Sequence, residues 1–410
     1  MKAKILLKGE KVVVQDLASF IGMIINAFHA VLEAPMHYRA LERDKLVGLG
    51  SEFNFQNKVY LSVVGKQELL WWINNIHLKN GKPVRPDKVS IQCSTDASNL
   101  GWGCYDVFSG EVASGRWNSV ECVKHINFLE LLAIFHALQS LYSNKRNVHI
   151  LFQCDNVTAV TYINDMGGIA SESLDRLACQ IWIWCLERSI FISAVHVAGS
   201  NNSMADFYSR NFSNSTEWML KKDIFVRLCK HFFQPDIDLF ASRLNKQLGT
   251  FVTWFPEPGA FHNNAFTLSW KEFSPYIFPP FNLLGKVVNK IIQDEVDKAI
   301  IVFPHWKSQA YFPLILSTLI DYPVRLPRHQ DLLRLTHSGE VHPLAKQITL
   351  IGAVISGNRC KVQEFHHKLL ESSSRAGEKE PGNSMIWPSD SGIFGVVNNI
   401  AIHFKQLKVR

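Results

Sequence analysis

The feature that most constrains this chain is a glutamate with no polar surface to occupy. Phe128-Leu-Glu-Leu-Leu-Ala-Ile-Phe-His-Ala-Leu138 reads as a strong helix, extended to Asn127–Leu141, and it is apolar nearly all round. The residues one and two turns from Glu130 are Ile126, Ala133, Ile134 and Ala137. A carboxylate buried there needs a cation or a raised pKa, so metal binding and a structural ion pair are both open readings. A fold that tolerates this helix must bring something of opposite chemistry to it.

The surrounding texture says what kind of fold that is. Val89–Asp96 alternates as a strand, Gly101–Tyr105 continues as a second, and Gly115–Trp117 suggests a third. Val148–Asp155 reads as a buried strand and Val157–Asn164 as a short helix. Ser173–Arg188 is a further helix and Ile190–Val197 a further strand. Three early strands followed by alternating helices and strands predict an α/β domain with a mixed sheet flanked by helices, over residues 89–213. Before it, Leu17, Phe20, Ile21, Ile24, Phe28 and Val31 recur at helical spacing behind a candidate cap at Asp16. A second helix is expected over Lys66–Ile76, with Trp71 and Trp72 in its core, and Pro83 and Pro86 mark a boundary. Asn211–Thr216 is a polar link to a second α/β region at 220–330; the remainder, 331–410, reads as linker and tail, with Glu371–Ser384 the most linker-like part.

Composition narrows the class. Hydrophobic residues make up 47% of 410, enough for two or three cores. The 43 basic and 36 acidic residues leave a net charge of +7, which suits a nucleic-acid partner without requiring one. The eight cysteines form no CxxC pair and no zinc spacing with histidines, and read as reduced thiols. No apolar run is long enough to span a bilayer, so the expectation is a protein of cytosol or nucleus with no membrane partner.

Three further carboxylates fall at informative places. Asp96 ends one predicted strand and Asp155 another; Asp206 follows a strand and a Gly-Ser-Asn turn, where an N-cap is the simplest role for it alone. Strand-end carboxylates are costly unless a positive charge meets them. Taken with Glu130, they have the chemistry of a site for two Mg²⁺ ions, or Mn²⁺, which activate a water and stabilise the leaving oxygen of a phosphodiester.

Thr95-Asp-Ala-Ser98, a Glu in a Leu-rich helix, Cys154-Asp-Asn156 and His196-Val-Ala-Gly…Asn202-x-x-Ala-Asp206 together resemble the ribonuclease H domain of retroelement reverse transcriptases. Ser209-Arg210 is also typical of those versions. The resemblance implies an endonuclease cutting RNA in RNA–DNA hybrids, with Asp96, Glu130, Asp155 and Asp206 as metal ligands. Cellular members often carry a His in the loop before the last Asp; here Ser200 follows Gly199, and His196 on the preceding strand is expected to be structural. Asp16–Gly22, Met36–Glu42 and Glu68–Trp72 are similar to the thumb and connection of DIRS-type, tyrosine-recombinase retrotransposons, over residues 1–88. No Tyr-x-Asp-Asp occurs, so the implied partners are the polymerase palm and fingers and the recombinase parts of a longer polyprotein. Leu369–Gly382 and Ser391–Gly395 resemble the linker that precedes the recombinase.

Asp236–Ser242, Asn245, Ala265–Trp270, Phe278-Pro-Pro-Phe281 and Phe303–Trp306 resemble the adenine-methyltransferase-like domain of the same elements. That resemblance assigns Asp238, Pro279, Pro280 and Phe281 to an S-adenosylmethionine and base pocket. Such enzymes place Asp or Asn before Pro-Pro to accept a hydrogen bond from the target amine. Phe278 cannot accept one, so a degenerate domain that keeps its fold but not methyl transfer is expected. Two rival readings are a decayed nucleic-acid-binding fragment and a working DNA adenine methyltransferase.

Overall fold

The computed structural model describes residues 2–79, 81, 88–212, 217–329, 331–345, 347–373, 391–397 and 400–407. Pro83, Pro86, residues 213–216 of the polar link and most of Glu371–Ser384 lie outside these. The chain divides into two compact units, one of residues 1–113 and 120–210, the other of residues 114–119 and 211–410. Among the described residues no helix is long and apolar enough to cross a membrane.

The first unit opens with four helices, α1 (Lys2–Lys8), α2 (Val14–Asn26), α3 (Arg39–Leu49) and α4 (Val63–Lys79), and a short antiparallel pair, β1 (Val12–Val13) and β2 (Lys58–Val59). Leu17, Phe20, Ile21 and Ile24 of α2 share a buried stripe with Leu41, Leu69 and Trp72. Helix α2 stops at Asn26 and tightens into a 3₁₀ turn over Ala27–His29, short of Val31. Asp16 does not cap it: Val13 stands at the N-cap, and Asp16 lies in the first turn, where the helix dipole favours an anion. The N-terminus of α3 is instead served from α4, whose buried Glu68 accepts the Ala40 and Leu41 N–H groups at 3.0 and 2.9 Å.

A five-stranded mixed sheet follows, built from β3 (Ile91–Ala97), β4 (Gly101–Asp106), β5 (Val112–Arg116), β6 (Val148–Cys154) and β7 (Ile190–His196) in the order β5-β4-β3-β6-β7. β4 runs antiparallel to β3; β6 is parallel to β3 and β7 to β6. The strand expected at Gly115–Trp117 begins earlier, at Val112. Helices α5 (Ile126–Leu141), α6 (Val157–Asn164), α7 (Glu172–Leu186) and α8 (Ser203–Arg210) complete the unit. α5 and α8 both pack on β3 and β4. The N-terminal helices are tied to this module by Arg43, which pairs with Asp175 of α7 at 2.9 Å, and by Arg39, which donates to the Asp165 carbonyl at 3.1 Å.

The second unit has its own five-stranded mixed sheet, in the order Tyr276–Ile277, Ala299–Pro304, Leu350–Ile355, Val324–Arg325, Lys405–Gln406. Leu350–Ile355 is wholly buried and pairs antiparallel with both Ala299–Pro304 and Val324–Arg325. Part of the stretch after residue 330, expected to be linker and tail, thus forms a central strand. Its six apolar residues carry no alternation, which is the signature of a strand covered on both faces and easy to overlook.

Gly103 fixes where α8 rests. A Cβ at that position would stand 2.5 Å from the Ser209 nitrogen and 2.7 Å from the Ala205 carbonyl oxygen, both backbone atoms of α8. Gly103→Ala should therefore push the helix off β4 and cost about 1–3 kcal/mol, as overpacking does. Equilibrium unfolding in urea measures this, and a variant as stable as the parent would show that α8 does not rest on Gly103.

Candidate metal centre

The parallel register of β3 and β6 does most to assemble the site. Ser94 lies beside Gln153, and their side chains are bonded at 3.0 Å. Asp96 and Asp155 each stand two residues further along, so they emerge side by side at the C-terminal ends of adjacent parallel strands. Open α/β sheets place their ligands there. α5 packs across this end and points Glu130 at it: the Glu130 carboxylate takes a hydrogen bond from the Ala97 N–H and lies 3.7 Å from the Cys154 thiol. One ligand atom from each of Glu130, Cys154 and Asp155 lies within 4.8 Å of the others.

Asp206 stands outside that group, on α8, near enough for its charge to act on Asp96. It is not the N-cap but sits in the first turn, half exposed, and pairs with Arg210 at 2.6 Å. Both ends of α8 are pinned to the sheet. Asn202, buried just before it, donates to the Thr95 carbonyl at 2.9 Å. Ser98 donates to the Ser209 carbonyl at 2.6 Å. The Ser209 hydroxyl in turn donates to Asp96 Oδ2, also at 2.6 Å. His196 donates through Nε2 to the Asp155 carbonyl at 3.1 Å, so it braces the backbone of that residue. Gly199 passes close by; a Cβ on it would lie 3.3 Å from Asp155 Oδ2.

The electrostatics follow from this crowding. Burial, and then the charges of Asp96 and Asp155, push Glu130 up to about 8. Burial also raises Asp96, assisted by Asp155 and Asp206 and opposed by the Ser209 hydrogen bond. The buried Cys154 thiol is held far above its usual range by burial and by Glu130, so it stays neutral. Like-charged carboxylates gathered without matching positive charge suit divalent cations, and the donors are hard oxygens of the kind Mg²⁺ and Mn²⁺ prefer.

Of the four carboxylates singled out by sequence, the fold brings Glu130 and Asp155 within ligand range of each other, sets Asp96 beside them and leaves Asp206 on α8; the supports around them were missed. Ser209 and Ser98 are more than a hundred residues apart in sequence, and no local pattern announces their bond. Gly101-Trp-Gly103 carried a signal, since glycine within a strand marks a close backbone approach.

In the second unit, Phe278-Pro-Pro-Phe281 follows directly on the strand Tyr276–Ile277. A cavity of about 380 Å³ is lined by Leu239, Phe240, Thr253, Phe266 and Pro280, among others. Pro279 and Phe281 face a smaller one of about 220 Å³ with Trp218 and His342. Phe281 is engaged edge-on with Trp306, ring centroids 5.4 Å apart. Asp238 lines neither cavity. It is buried, with one oxygen accepting the Gln247 N–H at 2.9 Å and the Phe240 N–H also directed at the carboxylate.

No protein-family model matches the chain, and no curated protein matches it. Matching solved structures include LC11-RNase H1 in complex with an RNA/DNA hybrid, 17% identical with a TM-score of 0.25, over 29% of this chain and 93% of that one. RNase H1 from the halophilic archaeon Halobacterium salinarum NRC-1 is 18% identical with a TM-score of 0.24, over 29% and 92%. The foamy viral protease-reverse transcriptase in complex with an RNA/DNA hybrid is 10% identical with a TM-score of 0.20, over 53% of this chain and 30% of that one.

Burial moves Asp238 from its ordinary 3.8 up to about 7. A carboxyl raised in the folded state stabilises fully below its unfolded value and loses that contribution as pH climbs to the folded one. Asp238→Asn should therefore lose stability relative to the parent near pH 4, with the gap closing or reversing by pH 8. Urea midpoints of both proteins across that range measure it; a gap independent of pH would remove the buried-acid account.

Proposed function

We propose that this chain is a retroelement ribonuclease H, a metal-dependent endonuclease that hydrolyses RNA in RNA–DNA hybrids. The observation that carries the reading is the convergence of Asp96, Glu130 and Asp155 at one sheet end, with the charge of Asp206 on α8 acting on Asp96. Two divalent ions bound there would supply an activated water and electrostatic stabilisation of the leaving oxygen. The protein supplies the rest. Glu130 and Asp155 face each other across the α5–β6 junction, Ser209 fixes one Asp96 oxygen, and His196 and Asn202 hold the backbones around Asp155 and α8. Rigid support of this kind lets ligand oxygens meet an ion without reorganising first. The same reading makes the chain part of a DIRS-type polyprotein, with its polymerase and recombinase parts as partners.

Asp155→Asn should abolish hybrid cleavage at saturating Mg²⁺ while leaving hybrid binding largely intact. Loss of one charged oxygen weakens the ion site yet lowers repulsion toward phosphate. A gel cleavage assay paired with a binding titration reads both. Full cleavage by the variant removes the two-ion mechanism, and a parent that binds hybrid but never cuts it favours a decayed binding fragment instead.

The aromatic cavity beside Pro280 favours a second reading, a methyltransferase-like domain that retains a small-molecule pocket. Phe278 offers no acceptor for a target amine, so the protein should transfer no labelled methyl group from S-adenosylmethionine to DNA. Robust transfer would make this unit a working methyltransferase.

A further inference from the structure

Among the described residues, the one cation ion-paired to the four carboxylates belongs to the same helix as one of them. Arg210 Nε contacts Asp206 Oδ1 at 2.6 Å, one helical turn away on α8. Taken alone this is an ordinary i,i+4 pair, with the anion near the helix start and the cation at its end, as the dipole favours. Its surroundings make it more than that. The field holding the Arg210 guanidinium charged comes first from Asp206, but Asp96 and Asp155 of the sheet also contribute. Its neighbour Ser209 is bonded to Asp96. The guanidinium therefore stands at the edge of the whole acidic cluster and holds Asp206, the carboxylate that α8 brings to it from outside the sheet.

Building on the proposed metal-dependent nuclease, we infer that Arg210 is a resident counter-cation that a divalent ion must displace from Asp206, so that this residue sets the metal affinity of the site. A guanidinium and a Mg²⁺ ion on the same carboxylate compete, because both draw on its one negative charge and the two cations repel. The exchange is sterically open: the Arg210 side chain is 56% exposed and free to swing into solvent. It also answers a problem that the cluster poses to the metal-free protein. Asp96 and Glu130 are buried beside the more exposed Asp155 and Asp206, all four repel one another, and a positive charge at their edge eases that until an ion arrives.

The test is Mg²⁺ titration by calorimetry, without nucleic acid, of the full chain and of Arg210→Gln, Arg210→Lys and Asp206→Asn/Arg210→Gln. Arg210→Gln should bind Mg²⁺ at least about threefold more tightly than the parent, a difference that narrows as salt rises. Arg210→Lys keeps the charge and should stay near the parent, which a purely structural role for the guanidinium fork would not give. The gain should vanish in the double variant, because Asp206 is the group released. Unchanged or weaker binding by Arg210→Gln overturns the inference while leaving the metal centre in place. Absence of Mg²⁺ binding by every form, parent included, overturns the metal centre and this inference with it.

Discussion

Like charge gathered into a buried place is the constraint around which the first unit is arranged. Glu130 has no polar surface within its helix, and the parallel register of β3 and β6 sets Asp96 and Asp155 beside it. Much of what surrounds them reads as a response to that repulsion. Ser209 donates to Asp96, the Ala97 N–H to Glu130, and Arg210 pairs with Asp206. None of these removes the deficit of positive charge. The negative charge left unmatched is of the kind that the proposed divalent ions would offset.

That arrangement was partly legible in the sequence, for reasons that differ from residue to residue. Glu130 was conspicuous because helical periodicity leaves no face for it, and Asp96 and Asp155 because apolar strand runs end on them. Periodicity also located α5 and α6 to within a residue, since both are strongly apolar along their length. The supports were not legible. Ser98 with Ser209, and Asn202 with Thr95, are pairs created by the packing of α8 on the sheet, and serine and asparagine are too common for their types to signal it. For Asp206 alone the local sequence suits an N-cap, whereas in the fold it lies in the first turn of α8 with its ion-pair partner one turn later on the same helix.

The second unit was harder for a different reason. Its central strand, Leu350–Ile355, follows a stretch with little pattern, and continuous apolar runs do not reveal which sheet they enter. Asp238 shows the complementary difficulty. A motif can mark a residue as part of a pocket when its side chain is turned into the core, serving the backbone of Gln247. The residues around the larger cavity are scattered along the chain, with Ser114, Phe212, Phe240, Thr253, Phe266 and Pro280 each from a different stretch.

Gly103 carries a consequence for how the protein tolerates change. The space above it is filled by the backbone of α8, which no rotamer change can vacate. The residue is the cross-strand partner of Asp96 and has no side chain to contribute to chemistry, yet replacing it would tilt the helix that presents Asp206. Across natural variants of this chain, an inert position in the middle of a strand should be guarded as closely as the acids of the proposed site, with selection acting there on empty volume.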